Sequence, residues 1–268
     1  MKKKLIVIAD DFGFSEAYNL GVVKAYEEGI VTTISIMVNM EAADHGVKLL
    51  KSKNIDSKNI VVHTNLVHGK PVSNPKDIPS LVDENGNFYR SYKWKSENPN
   101  DKKCVGDIVP TKEDCKRETL AQLEKFKSYF GHYPNHFEGH SVAGKNILDA
   151  FKEISDELGI HSMGLDEVES ENMYPAHELG FSNPNYMKIL FNGTSYTDFI
   201  NDEFKLLEST FDINIMHFHP GFVDSYILDN SSLTTARCRD LDALCDNRVI
   251  KWIKDNNIEL VNFESVYK

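Results

Sequence analysis

Two adjacent carboxylates, Asp10 and Asp11, directly follow the apolar residues 5–9. An uninterrupted, largely β-branched run of this length predicts a strand that is buried on both faces. Such strands belong to parallel α/β sheets, which bind ligands at the carboxyl ends of their strands. Because successive side chains of an extended chain point in opposite directions, we expect different roles for the two carboxylates, such as one metal ligand and one general base. The alternative is a turn with a helix cap, in which Asp is also common.

Three histidines occupy comparable places, at or just after predicted strand ends: His63, His140 and His219. In an α/β barrel these ends face one mouth, so residues far apart in sequence could meet. One Asp and two His are a recurrent ligand set for a hydrolytic metal ion, with positions left for water and substrate. Each histidine alone is more simply explained as a strand-end residue, but the joint pattern favours a metal site. His217 shares a strand face with His219 and could stack beneath it or pack in the core.

The order of predicted elements indicates an α/β fold. Helices are predicted over residues 15–28, 41–51, 111–130, 145–158, 196–210 and 235–254, and strands over residues 5–9, 31–38, 60–66, 135–139, 213–218 and 259–263. Strands that alternate with helices predict a parallel sheet or barrel. A count of six or seven β/α units favours an incomplete or irregular (β/α) barrel. We expect one domain over residues 1–268.

A long irregular segment, residues 69–110, interrupts this order. It is rich in Pro, Asn, Asp, Ser and Lys, and a stretch of this kind is usually a functional loop or lid, with a disordered insertion as the alternative. It carries four aromatic residues: Phe88, Tyr89, Tyr92 and Trp94. These rings could contact a ligand, or they could pack the loop onto the barrel.

The composition excludes several classes of protein. A net charge of -11 argues against a general nucleic-acid binder and against binding to anionic membrane surfaces. The start of the chain does not match a secretion signal, because only five apolar residues follow the initial lysines. No apolar stretch approaches the length needed to cross a membrane. The four cysteines show no CxxC spacing, which is typical of reduced thiols. We therefore expect a cytoplasmic protein.

Several motifs together resemble one family. The opening residues 8–15, with Asn19 and Gly21, are similar to the YdjC-like carbohydrate deacetylases, which include chitooligosaccharide deacetylases. Further blocks match in the same order: residues 28–33, 38–39, 62–66, 69–71, 134–140, 219–221 and 237–244. The resemblance covers nearly the whole chain, and several motifs in register make it specific.

The resemblance implies an irregular (β/α) barrel that removes acetyl groups from N-acetylated sugars or oligosaccharides. It implies that Asp11, His63 and His140 bind the metal ion, that Asp10 is the general base, and that His219 is the general acid. The family is associated with magnesium and suggests a homodimer. Two imidazoles and one carboxylate suit zinc, manganese or cobalt better than magnesium. Arg237 could orient the catalytic carboxylates through a bidentate pair, with an ordinary salt bridge on a helix surface as the alternative.

The sequence departs from the family pattern in one block. Glu138 stands where the family usually has Asp, and residues 141–144 stand where it usually has further histidines. Those imidazoles could have supported the metal ligands or contacted substrate. One alternative is therefore a sugar-binding or regulatory protein without catalysis. Another is a metal-dependent hydrolase of a different class, a phosphoesterase or amidase, although a phosphoesterase needs an anion cradle and only Lys70 and Arg237 are basic near the strand ends.

Overall fold

The computed structural model describes residues 2–96, 104–162, 177–178 and 184–267. These residues form two compact units. The first comprises Met1–Ile36, Glu41–Ile60 and Ala176–Lys268, and the second comprises Met37–Met40 and Val61–Pro175. Most of the weakly patterned stretch 163–185 lies outside the described residues, and the single domain expected from sequence stays a prediction.

The sheet of the first unit is built around β1. Strands and helices are numbered in chain order, and this unit contains β1 (Lys4–Phe12), β2 (Thr33–Ile36), β6 (His177–Glu178), β7 (Ile213–Phe218) and β8 (Glu259–Leu260). The first strand pairs in parallel with β2, β7 and β8, and β6 pairs in parallel with β7. Residues 5–9 are fully buried, as the apolar run predicts. Because β1 has neighbours on both sides, it is a central strand, and the acid pair lies near its carboxyl end.

The helices of the first unit are α1 (Glu16–Glu28), α2 (Ala43–Ser52), α5 (Pro184–Asn192), α6 (Tyr196–Ile200), α7 (Ser225–Asn230), α8 (Thr235–Leu244), α9 (Asn247–Asp255) and α10 (Phe263–Val266). The predicted start of α1 is confirmed, because the Ser15 hydroxyl caps it by accepting the Tyr18 N–H at 3.2 Å. None of the helices in the described part of the chain combines the length and the apolar character needed to cross a bilayer.

Within its described residues, the second unit contains three parallel strands and two α-helices. Its elements are β3 (Ile60–Thr64), α3 (Lys112–Phe130), β4 (His136–Gly139), α4 (Lys145–Leu158) and β5 (His161–Ser162). β4 pairs in parallel with both β3 and β5, and α3 packs on α4. The Thr111 hydroxyl caps α3 by accepting the Asp114 N–H at 3.2 Å, and Gly131 ends it in the left-handed conformation with φ 84°. An α/β fold built from parallel strands and helices is therefore confirmed.

Two predicted helices were too long. The one predicted over residues 196–210 ends at Ile200, because Asp202 and Lys205 have φ of 49° and 61°, which a right-handed helix excludes. The one predicted over residues 235–254 is two helices, and Asp246 begins the second by accepting the Arg248 N–H at 2.8 Å. The weak periodicity of the chain hid α5, α7 and the two-residue strands β5 and β6.

Candidate active site

A break in strand register separates the two carboxylates. The pairing of β1 with β2 shifts between Ala9 and Phe12, and Asp11 has φ 61°. A bulge at this point re-aims the side chains that follow it, and Asp tolerates the left-handed region better than most residues. Both carboxylates are buried. They consequently face different partners, in line with the separate roles expected for them.

The Asp10 carboxylate lies beside an imidazole of the neighbouring strand. Nδ1 of His217, on β7, is 3.2 Å from Oδ2 and 3.3 Å from Oδ1 of Asp10. The Tyr18 hydroxyl donates to the backbone carbonyl of Asp10 at 2.8 Å. Burial raises the pKa of that phenol well above its ordinary value, so Tyr18 remains a donor. Both the side chain and the backbone of Asp10 are therefore held within the first unit.

The Asp11 carboxylate pairs with the guanidinium of Arg237, on α8. Arg237 Nη2 donates to Asp11 Oδ2 at 2.8 Å, and Arg237 Nε donates to the Leu233 carbonyl at 2.9 Å. Its guanidinium lies over the rings of Tyr18 and Phe14, at 4.6 and 5.3 Å from their centroids. Burial acts to lower the pKa of Arg237, but the interactions with Asp11 and Tyr18 together outweigh it and the pKa is raised. A salt bridge on a helix surface is excluded, because Arg237 is 1% exposed.

His219 lies on the same side of the first unit as Asp11. Its Nε2 is 3.9 Å from Asp11 Oδ2. Its backbone N–H donates to Asp240 Oδ2 at 3.0 Å, and Oδ1 of that carboxylate accepts the Thr194 N–H at 2.8 Å. Burial raises the pKa of Asp240, while these two N–H donors act to lower it. Asp240 thus holds the backbone that carries the candidate general acid.

Two glycines allow the loop after β7 to lie directly against α1. A Cβ on Gly221 would lie 1.9 Å from Cδ2 of Tyr18, and one on Gly21 would lie 2.5 Å from Cα of Gly221. The N–H of Gly221 also donates to the Arg237 carbonyl at 3.1 Å. Tyr18 therefore contacts both the Asp10 backbone and the loop that follows His219, which couples the positions of the candidate base and acid.

The second unit brings together His63 and His140. His63 is on β3, and its strand partner is Glu138 on β4, two residues before His140. Nε2 of His63 is 3.1 Å from Nδ1 of His140, and the ring centroids are 5.0 Å apart. A carboxylate oxygen of Glu138 lies 3.4 Å from Nδ1 of His63. Glu138 can thus orient the His63 ring, as carboxylates behind metal-binding histidines commonly do.

The long segment that begins at residue 69 is hydrogen-bonded to α3. The Glu118 carboxylate accepts the N–H groups of Val72 and Ser73, both at 2.9 Å. Phe88 and Trp94 are buried, which supports packing rather than sugar contact for these two rings. Tyr92 is 55% exposed, so its ring remains available to a ligand.

The structure adds three residues to the candidate site that the sequence did not indicate: His217, Tyr18 and Asp240. The spacing of His217 from His219 already placed both on one strand face, but it gave no sign of the contact with Asp10. Tyr18 and Asp240 lie on helices, where an aromatic or acidic residue is ordinary. No local signal distinguishes them.

The sequence matches a family model described as YdjC-like protein over residues 4–255. A carbohydrate deacetylase of Clostridium beijerinckii is 32% identical over 268 residues, which cover 98% of this chain and 100% of that protein. A carbohydrate deacetylase 2 of Listeria innocua is 30% identical, covering 99% of each chain. A chitooligosaccharide deacetylase of Serratia marcescens is 34% identical over 140 residues, 52% of this chain and 50% of that protein.

Solved structures share the fold. A crystal structure of an Enterococcus faecalis protein, named as a candidate cellobiose-phosphate cleavage protein, superposes with a TM-score of 0.81 over 99% of each chain, at 22% identity. A family 4 acetyl xylan esterase of Clostridium thermocellum, solved with a cobalt ion, gives 0.50 at 9% identity over 99% of this chain and 91% of that one. These similarities agree with the barrel-like α/β fold predicted from the sequence.

Proposed function

Because this chain belongs to the YdjC-like protein family, we propose that it is a metal-dependent carbohydrate deacetylase. It would hydrolyse the amide of N-acetylated amino sugars or oligosaccharides of the chitooligosaccharide type and release acetate. The observation that carries the proposal is the contact between His63 and His140, whose ring nitrogens are 3.1 Å apart. Two imidazole nitrogens this close suit ligands of one cation. The full-length similarity to proteins named carbohydrate deacetylases supports the substrate class.

The donor set fits a divalent cation. Asp11, His63 and His140 are its proposed ligands, as the family resemblance implies, a carboxylate and two imidazoles of the kind found in hydrolytic metal sites. Magnesium follows from the family resemblance, whereas zinc, manganese or cobalt follow from the nitrogen ligands. When bound, such an ion polarises a carbonyl and lowers the pKa of water. The contact of Glu138 with His63 supports a working ligand set, because a carboxylate behind an imidazole ligand fixes the orientation of its ring.

Asp10 is the proposed general base. It accepts a proton from the attacking water at a carboxylate oxygen, a task that requires it to be ionised. His217 beside its carboxylate and Tyr18 on its backbone hold it in place. Because Asp10 and Asp11 have separate partners, binding at Asp11 leaves Asp10 available for proton transfer.

His219 is the proposed general acid. An amine leaves an amide only when its nitrogen is protonated, and the His219 imidazole supplies that proton. Asp240 and the Gly221 N–H hold its loop. The charge of Arg237 balances that of Asp11. The products are acetate and a free amino sugar.

The proposal extends to the setting of the enzyme. We place it in the cytoplasm as one domain that forms a homodimer and acts on a small acetylated sugar, without nucleic-acid or membrane partners. The cysteine pattern, the net charge and the family resemblance support these assignments.

Acetate release by metal-stripped protein tests this function. Di-N-acetylchitobiose and N-acetylglucosamine 6-phosphate are supplied as substrates, and Mg, Zn, Mn or Co is added back in turn. Release that depends on an added metal supports a deacetylase and identifies the ion. Tight metal binding without release from either sugar would point to a different hydrolase, and absence of both binding and release would favour a non-catalytic sugar-binding protein.

A further inference from the structure

We infer that His217 is a positioning residue that orients the Asp10 carboxylate as the base, an inference that rests on the proposed deacetylase function. His217 lies opposite Ile8 in the parallel pairing of β7 with β1. This register brings its Nδ1 to 3.2 and 3.3 Å from the two oxygens of Asp10. His217 is 7% exposed and Asp10 is 5% exposed, so the contact is shielded from water.

The location of one proton decides what this contact does. An ionised carboxylate only accepts hydrogen bonds, so a bond between these groups requires a proton either on Nδ1 or on Asp10. If Asp10 carried that proton, it could not take another from water. A base at this position therefore requires the Nδ1–H tautomer of His217, which donates to the carboxylate and fixes its orientation.

Packing alone does not account for a histidine here. Ile215, two residues earlier on the same face of β7, is fully buried and fills its space with an apolar side chain. A buried imidazole costs desolvation free energy unless its nitrogens form hydrogen bonds. Together with Tyr18 on the Asp10 backbone, His217 leaves Asp10 little freedom to rotate away from the reacting water.

The positioning role of His217 is tested by substitutions whose amide nitrogen replaces only one of the two ring nitrogens. The amide nitrogen of His217→Asn comes close to the position of Nδ1, whereas that of His217→Gln comes close to Nε2. We expect His217→Leu and His217→Gln to lower kcat about 10- to 100-fold with little change in KM, and His217→Asn to recover most of kcat. Metal content should be unchanged in all three, and His132→Asn, at an exposed histidine, is the control. Equal losses in the Asn and Gln variants, or unchanged kcat in the Leu variant, would overturn the inference.

Nitrogen NMR of the histidine side chains gives a readout that does not need turnover. In the wild-type protein we expect His217 in the Nδ1–H tautomer, and in Asp10→Ala a shift toward the Nε2–H tautomer. An Nε2–H tautomer in the wild type, or one that is unaffected by Asp10→Ala, would refute the donation. A wild-type protein that shows the Nδ1–H tautomer but releases no acetate with any metal would refute the deacetylase function while leaving the contact established.

Discussion

Arg237 donates from Nη2 to Oδ2 of Asp11 at 2.8 Å, and both residues are 1% exposed. The two residues are 226 positions apart in sequence, and their contact joins the end of β1 to α8. A buried pair of this kind contributes little compared with well-packed apolar residues, but loss of one partner leaves an uncompensated charge in the core. Arg237 is therefore needed for the charge state of Asp11 as well as for packing.

Removal of this guanidinium should destabilise the metal-free protein strongly. We expect Arg237→Met to lower the free energy of unfolding in urea by about 3–5 kcal/mol, because Asp11 stays buried without its cation. The measurement uses metal-free protein, because a cation bound at Asp11 would itself compensate the charge of the carboxylate. Arg248→Met, which removes an exposed pair with Asp246, is the control and should leave the midpoint unchanged. Equal stability of the two variants would show that Arg237 is dispensable for the fold.

Asp10→Asn should separate turnover from metal binding. The amide cannot take a proton from water, so we expect kcat for acetate release to fall by about 10²- to 10⁴-fold. Metal stoichiometry measured by mass spectrometry should stay at the wild-type value, because Asp11 is unchanged. Asp255→Asn, at an exposed helix position, serves as the matched control. Activity near that of the wild type would reject Asp10 as the base.

The two histidines of the second unit should be needed for metal binding. We expect His63→Ala and His140→Ala each to lower the affinity for the activating ion by more than about 100-fold, since each removes one imidazole ligand. Equilibrium dialysis of the purified variants measures this affinity, with His132→Ala as the control. Unchanged affinity in either variant would remove that histidine from the ligand set.

Burial should protect one thiol from modification. It raises the pKa of Cys115 to about 12, from an ordinary value of 9.0. At pH 8 roughly one molecule in ten thousand would carry the thiolate, so we expect Cys115 to react with a disulfide reagent only after unfolding. The stabilisation from this raised pKa is complete below pH 9.0 and is lost as the pH rises toward about 12.

A count of reactive thiols checks this expectation. Cys115→Ala should leave the native count unchanged and reduce the unfolded count from four to three. Cys238→Ala, at an exposed thiol, should reduce both counts. A lower native count in Cys115→Ala would contradict the burial of that side chain.

The close approach of Gly221 to Tyr18 predicts a steric effect. A methyl group at this position would lie 1.9 Å from the ring, so the ring or the loop has to move. We expect Gly221→Ala to lower the free energy of unfolding by at least about 1–3 kcal/mol and to reduce kcat, because the loop also carries His219. Gly139→Ala, whose new methyl group would meet its nearest neighbour at 3.5 Å, should change the melting temperature far less. Equal melting temperatures would show that the loop adapts freely.

Local patterns determined much of this fold. The apolar run before Asp10, the caps at Ser15 and Thr111, and the helix over residues 145–158 follow from periodicity and from polar residues that satisfy helix ends. These features depend on residues within one or two turns of each other. The candidate ligand, base and acid types could likewise be proposed from their places at strand ends.

Side-chain partners were decided by tertiary structure. The bulge at Asp11 arises where β1 pairs with β2. The contact of Asp10 with His217 and the buried pair of Asp11 with Arg237 join segments more than 200 positions apart. Strand register and helix packing select such contacts, and neither is encoded in a short window of sequence. The sequence by itself therefore indicated which residues could perform the chemistry, and only the folded chain determined which carboxylate each histidine and arginine faces.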